Sequence, residues 1–263
     1  MSKTFSICLA LTFVCLTTFV GCKTNNPSAS PQSAADGRKS TYVIVHGAWG
    51  GGWDWKYVAQ LLTDDDRTVT VYRPTLTGLG EHYNLSSTNI DLDTHIQDIV
   101  NVILWENLHD VVLVGHSYGG MVITGVADRV PDRIKRVAYI DALLPENGES
   151  AFGIVKPGMK MPVKDGFVTA PWVVGNPPPP HDVLMPAKTF SEPISLTNQA
   201  AAQKLPTTYI LLVAKGQSPE QANFYRFYQR AKARGWTTHT IESEHTVERS
   251  HPKELVKLLE RAP

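Results

Sequence analysis

Gly115-His116-Ser117-Tyr118-Gly119 sets a serine between two glycines, directly after Val111-Val112-Leu113-Val114 and directly before the run Met121 to Val130. The first run is apolar and mostly β-branched, which reads as a buried strand, and the second reads as a helix. G-x-S-x-G at a strand-to-helix turn is the pattern of a nucleophile elbow, where strained backbone geometry holds the serine hydroxyl exposed. A Cβ at Gly115 or Gly119 would crowd such a turn. An ordinary serine in a glycine-rich turn is the plainer alternative. The flanking strand and helix favour the catalytic one.

A serine hydroxyl is a weak nucleophile until a base takes its proton, and the base needs a third group to hold it. In folds of this kind the chain order is serine, acid, histidine. His245 follows the last expected strand and precedes the last expected helix, where a loop can carry it back to Ser117. His239 falls inside that strand, His251 opens the final helix, and His116 adjoins the serine with its side chain expected to diverge. The acid is less sharply marked. The strand Thr207 to Ala214 has no carboxylate behind it until Glu220, which falls in a first helical turn. Asp141 ends the strand after the elbow, at a carboxyl tip where functional side chains gather in open α/β sheets. Asp141 is the favoured acid, with Glu220 and Glu244 in reserve; a missing orienting acid also stays open.

Acyl transfer further needs two preorganised N–H donors for the developing oxyanion. The backbone of Tyr118, the residue after the serine, is one candidate, and Ala48 in His46-Gly47-Ala48-Trp49 is the other. The glycine-rich stretch around Ala48 lacks the lysine and hydroxyl residue of a phosphate-binding loop. Trp49, His116 and Trp172 are candidate substrate contacts.

The elements that must position these residues follow from the apolar pattern. Strands are expected at 41–46, 68–72, 111–114, 136–140, 207–214 and 237–241. Helices are expected at 55–62 with Asp54 as cap, at 92–107 and 121–130, from Ser218 to about Arg234 behind a capping box, and at 252–261. Alternation of this kind predicts an α/β fold, a mostly parallel, doubly wound sheet with helices on both faces. It stops between about 145 and 206, a Pro- and Gly-rich stretch that still carries Phe152, Met159, Met161, Phe167, Trp172, Met185 and Phe190. A structureless loop of that length is unusual, so this stretch reads as a cap insertion with short helices of its own.

The chain has 263 residues, 42% hydrophobic, with 25 basic and 25 acidic side chains. That is ample for one sizeable domain, here 41–263, and no basic footprint points to nucleic acid. The histidines show no metal-ligand spacing, and no cofactor is expected. All three cysteines, Cys8, Cys15 and Cys22, lie in the first 22 residues. Lys3 precedes a short apolar stretch, Phe5 to Val20, that reads as an export signal rather than a membrane span. It ends in Phe19-Val20-Gly21-Cys22, which resembles the lipobox of bacterial lipoproteins. The expectation is a signal over 1–22, lipid anchorage in a membrane through Cys22, and a flexible tether over 23–40. An outer-membrane address is favoured, with a plain secretory signal as the alternative.

His46-Gly47-Ala48-Trp49 with Gly50-Gly51-Gly52-Trp53, then Val114 to Met121, then Asp141-Ala142-Leu143-Leu144-Pro145, together resemble the α/β-hydrolase superfamily. Within it the likeness is to bacterial carboxylesterases similar to plant methylesterases and hydroxynitrile lyases. It spans about 41–263 and is weak across the cap. The resemblance implies hydrolysis of a small-molecule ester through an acyl-enzyme, without a cofactor. Lyases of this kind carry threonine where Gly47 stands, which argues for a hydrolase. A lactonase, a lyase and a non-catalytic binding lipoprotein are the competing functions.

Overall fold

Val43-Ile44-Val45 and Val111-Val112-Leu113-Val114 favour extended backbone because branching at Cβ restricts χ1 and packs well on a pleated surface. The computed structural model describes residues 40–64, 68–155, 161–170, 172, 173, 175 and 177–261. The expected signal, Cys22 and the tether up to residue 39 lie outside the described residues.

In chain order the first elements are β1 (Thr41–Val45), α1 (Lys56–Asp64), β2 (Thr70–Tyr72), α2 (Leu92–Trp105), β3 (Val111–His116), α3 (Gly119–Arg129) and β4 (Ile134–Ile140). A long excursion follows, with α4 (Ala151–Ile154), β5 (Val163–Lys164), β6 (Phe167–Val168), β7 (Met185–Pro186), α5 (Lys188–Ser191) and α6 (Gln199–Ala202). The chain then returns through β8 (Thr207–Val213), α7 (Tyr225–Ala233), β9 (Thr237–Glu242), α8 (Val247–Ser250) and α9 (Pro252–Arg261).

Six strands form one parallel sheet in the order β2-β1-β3-β4-β8-β9. Parallel strands need crossovers, and crossover helices cover both faces. The period of two is visible in the packing. Val43, Val45, Val111 and Leu113 join a core with residues of α2, α3 and α7, whereas Tyr42, Ile44, Val112 and Val114 face α1 and α9. This is the expected α/β-hydrolase fold. Strand order reverses between β1 and β3, and at such a switch point two carboxyl-end loops part to leave a crevice. The loop after β1 holds His46 to Trp49, and the loop after β3 holds Ser117.

Local departures from the expected elements have physical reasons. Asp54 does not cap α1; a 3-10 turn over Gly52–Trp55 precedes the helix, and the Asp54 carboxylate takes Arg249 Nε at 2.6 Å instead. The expected capping box at Ser218 and Gln221 forms, with Ser218 N–H donating to Gln221 Oε1 at 2.8 Å. It opens only a 3-10 turn, and Ala222 is extended, so α7 starts afresh at Tyr225. The excursion between β4 and β8 holds three single-turn helices together with a three-stranded antiparallel sheet, β5-β6-β7, where short helices alone were expected.

Candidate active site

Ser117 sits at φ 54°, a left-handed conformation that non-glycine residues rarely adopt. The surroundings impose it. Ser117 N–H donates to Ile140 C=O at 3.2 Å, and Ser117 C=O accepts from Leu143 N–H at 3.0 Å and Gly120 N–H at 3.1 Å. The helix starts so close to β1 that a Cβ on Gly119 would lie 2.6 Å from Val45 O. A Cβ on Gly115 would lie 2.9 Å from Gly119 O. Both glycines are therefore required by close approach, as the sequence suggested.

His245, in the loop between β9 and α8, places Nε2 2.9 Å from Ser117 Oγ and Nδ1 2.7 Å from Asp141 Oδ2. Asp141 is 4% exposed and lies at φ 41°, a second left-handed residue at a strand tip. Its N–H donates to Ile210 C=O at 2.7 Å, and its Oδ1 accepts from Leu212 N–H at 3.2 Å. Neighbouring β8 thus orients the carboxylate toward His245. With Nδ1–H donating to Asp141, Nε2 is left to accept the serine proton. The two reserve acids are elsewhere engaged or exposed: Glu220 accepts from Tyr225 Oη at 3.4 Å, and the exposed Glu244 makes no bond to His245.

The His245 ring is set by contacts that no sequence pattern announced. Phe224 stacks on it at 5.0 Å and 9°, from the short gap before α7. His116 lies 4.6 Å from it, and His116 Nε2–H donates to His245 C=O at 2.9 Å. Burial holds the His116 imidazole well below its usual pKa, so the ring is neutral. His116 does line the cavity, but its Nε2 is engaged with the His245 backbone rather than open to a ligand. That is a role the expectation of a substrate contact did not include. Proximity in sequence to the candidate serine was the one available signal, and it could not distinguish the two uses.

The loop after β1 is fastened by His46. Leu76 N–H donates to its Nε2 at 3.1 Å, and its Nδ1–H donates to Gly47 C=O at 2.7 Å. Burial lowers its pKa to about 4, keeping the ring in the neutral form that can both donate and accept. The next residues, Ala48 and Trp49, border the cavity, with Trp49 at φ 65°. Trp49 Nε1–H donates to Val168 C=O at 3.1 Å and Trp49 C=O accepts from Val183 N–H at 2.9 Å, tying this loop to the excursion. Tyr118 is buried, its hydroxyl 3.1 Å from His95 Nδ1. Among the described residues, the N–H groups of Ala48 and Tyr118 have no hydrogen-bond partner.

A cavity of about 340 Å³ opens over Ser117 and His245, bordered by Ala48, Trp49 and Trp172. Trp172 packs edge-on against Trp49 at 4.9 Å and is 57% exposed, with Nε1–H donating to Asp182 Oδ2 at 2.6 Å. All three expected substrate contacts border this space. A hydroxyl, an imidazole and a carboxylate in one hydrogen-bonded line, beside two unpartnered N–H groups, can carry out acyl transfer. Among the described residues no group of His, Cys, Asp or Glu is arranged to hold a metal ion.

The model of the alpha/beta hydrolase family matches residues 42–258. A carbendazim-hydrolysing esterase of a Nocardioides strain is 44% identical over 129 residues, 49% of this chain and 52% of that protein. Methylesterase 2 of Arabidopsis thaliana is 31% identical over 124 residues, 43% of each chain. The matched stretches thus span about half the length of these relatives. An extracellular alpha/beta-hydrolase from a Paenibacillus species superposes with a TM-score of 0.68 at 24% identity, covering 85% of this chain and 98% of that one.

Proposed function

This chain belongs to the alpha/beta hydrolase family, and on that premise we propose that it is a serine carboxylesterase acting on small to medium esters. The observation that carries the proposal is the continuous line from Ser117 Oγ through His245 to Asp141, at 2.9 and 2.7 Å. Ser117 attacks the ester carbonyl while His245 Nε2 takes its proton, and Asp141 stabilises the imidazolium. The N–H groups of Ala48 and Tyr118 hold the oxyanion. His245 then protonates the departing alkoxide, leaving an acyl-serine that water, activated by the same histidine, hydrolyses.

The names of the relatives, an esterase and a methylesterase, favour ester hydrolysis over the other reactions of the family. The aromatic border formed by Trp49 and Trp172 suits an apolar acyl or alcohol group, and the cavity size suits a small one. Turnover of p-nitrophenyl butyrate tests the assignment: Ser117→Ala is expected to lower kcat by about 10⁴-fold or more. Equal rates for the two proteins would refute it. The proposal also places the enzyme outside the cytoplasm, held by a lipid on Cys22. Incorporation of labelled palmitate in a bacterial host, lost in Cys22→Ser, checks that part.

A further inference from the structure

Beside Ser117 and His245 the cavity wall turns acidic. Asp54, Asp182 and Glu248 all border it, with Arg249 as the one arginine or lysine among the described residues there. Arg249 is already held: its Nε donates to Asp54 Oδ1 at 2.6 Å, and its guanidinium lies over Trp53 at 5.3 Å. Asp182 uses Oδ2 on Trp172. The other oxygens of the two aspartates, Asp54 Oδ2 and Asp182 Oδ1, converge around Gly50. They lie 3.5 and 3.6 Å from where a Cβ on that residue would sit. A side chain there would close the gap between them.

Glu248 is the independent sign that something is meant to bind. It is 3% exposed, yet its Oε2 has no hydrogen-bond partner, and its Oε1 reaches only within 3.8 Å of Arg249 Nε. An orphaned carboxylate oxygen is costly in a folded protein and calls for a donor. Burial dominates its electrostatics and pushes its pKa up to about 7; its own backbone N–H, Arg249 and His245 pull it down, and Asp54 pushes it further up. These acids are not arranged as metal ligands among the described residues. The walls beside them are indole rings, Trp49, Trp55 and Trp172. Negative charge next to aromatic faces favours an organic cation with apolar substituents, which gains from both.

We propose that Glu248, with Asp54 and Asp182, forms a subsite for an alkylammonium group carried by the ester substrate. The ammonium N–H donates to Glu248, its alkyl groups lie against the indole faces, and the ester carbonyl reaches Ser117. This rests on the esterase reading, because the cation is carried on an ester.

The test separates the two. Binding is measured calorimetrically with full-length Ser117→Ala protein at about pH 7.5, where Glu248 is largely charged. The ligands are 2-(dimethylamino)ethyl butyrate and its neutral isostere 3-methylbutyl butyrate. The ammonium ester is expected to bind about tenfold more tightly. That preference should vanish when Glu248→Gln is added and shrink to about threefold with Asp182→Asn. Equal binding of the two esters by Ser117→Ala, or a preference that survives Glu248→Gln, overturns the subsite. The comparison of the two esters on Ser117→Ala alone needs no folded Glu248 variant. Turnover of p-nitrophenyl butyrate by the wild type reports on the esterase reading separately.

Discussion

Around Ser117, His245 and Asp141 the polar atoms are matched in sequence along one line: serine to imidazole, imidazole to carboxylate, carboxylate to Leu212 N–H. Around Glu248, in the same cavity, a carboxylate oxygen is buried without a partner. The first region is built on strand tips and complete before any ligand arrives. The second lies on α8, a single helical turn, and is completed only from the cavity. Preorganisation belongs where charge develops in a transition state, since donors and acceptors already in place need no rearrangement. An unmatched group belongs where a ligand must be told from its isostere, because a wrong ligand leaves it unpaired.

The contrast is most exposed at Asp141. Asp141→Asn leaves the shape of the line intact but misdirects the Nδ1 proton, and kcat is expected to fall by about 10³- to 10⁴-fold. Glu220→Gln and Glu244→Gln should stay within about twofold of wild type, since surface changes away from such features have small effects. Loss of activity in Glu220→Gln alone would transfer the acid to the other strand.

Next in size is the packing that strains Ser117. Gly119→Ala would place a methyl 2.6 Å from Val45 O. A loss of about 3 kcal/mol of stability is expected, read from the urea midpoint, with activity falling in the folded fraction as well. Unchanged stability would mean the elbow is less tightly braced than its contacts imply.

The unmatched region predicts an opposite sign. Glu248 is raised from 4.5 to about 7 in the folded chain. The native state therefore holds this proton more tightly than the unfolded one. Its contribution is fully present below pH 4.5 and is lost as pH rises through about 7. Glu248→Gln removes that loss, so relative to wild type it should gain on the order of 3 kcal/mol between about pH 5 and 8. Urea titrations of both proteins at those two pH values check it, and a constant difference would mean Glu248 is solvated or paired.

The smallest effect concerns the brace behind His245. His116→Gln should weaken the bond to His245 C=O and let the base drift. About a tenfold drop in kcat with little change in KM is expected, the loss of one buried hydrogen bond. A change in KM alone would return His116 to the role of substrate contact.

Several features were legible in the residues themselves. The elbow depends on contacts within a few positions, so Gly115, Ser117 and Gly119 carry it in one short word. The four inner strands were visible because buried parallel strands are continuous apolar runs, and the edge strands β2 and β9, less buried, were legible from their β-branched Thr, Val and Ile. α9 was legible end to end from its amphipathic period, Pro252 to Arg261. The break at Ala222 was not, because a capping box announces a helix start without saying how far the helix runs. The small sheet β5-β6-β7 was not either, since two-residue strands leave no period to read.

The amino-acid order by itself determined the strand-turn-helix around Ser117, because glycine tolerance and β-branching act locally. It also placed His245 in the last loop before a helix. Only the tertiary structure decided which carboxylate stands behind that histidine. Asp141 and His245 are 104 residues apart in the chain. They meet because parallel registers β4 to β8 and β8 to β9 bring three strand tips level at one edge of the sheet. Which tips stand level is a property of hydrogen-bonded register and crossover packing, and no single segment of the chain contains it.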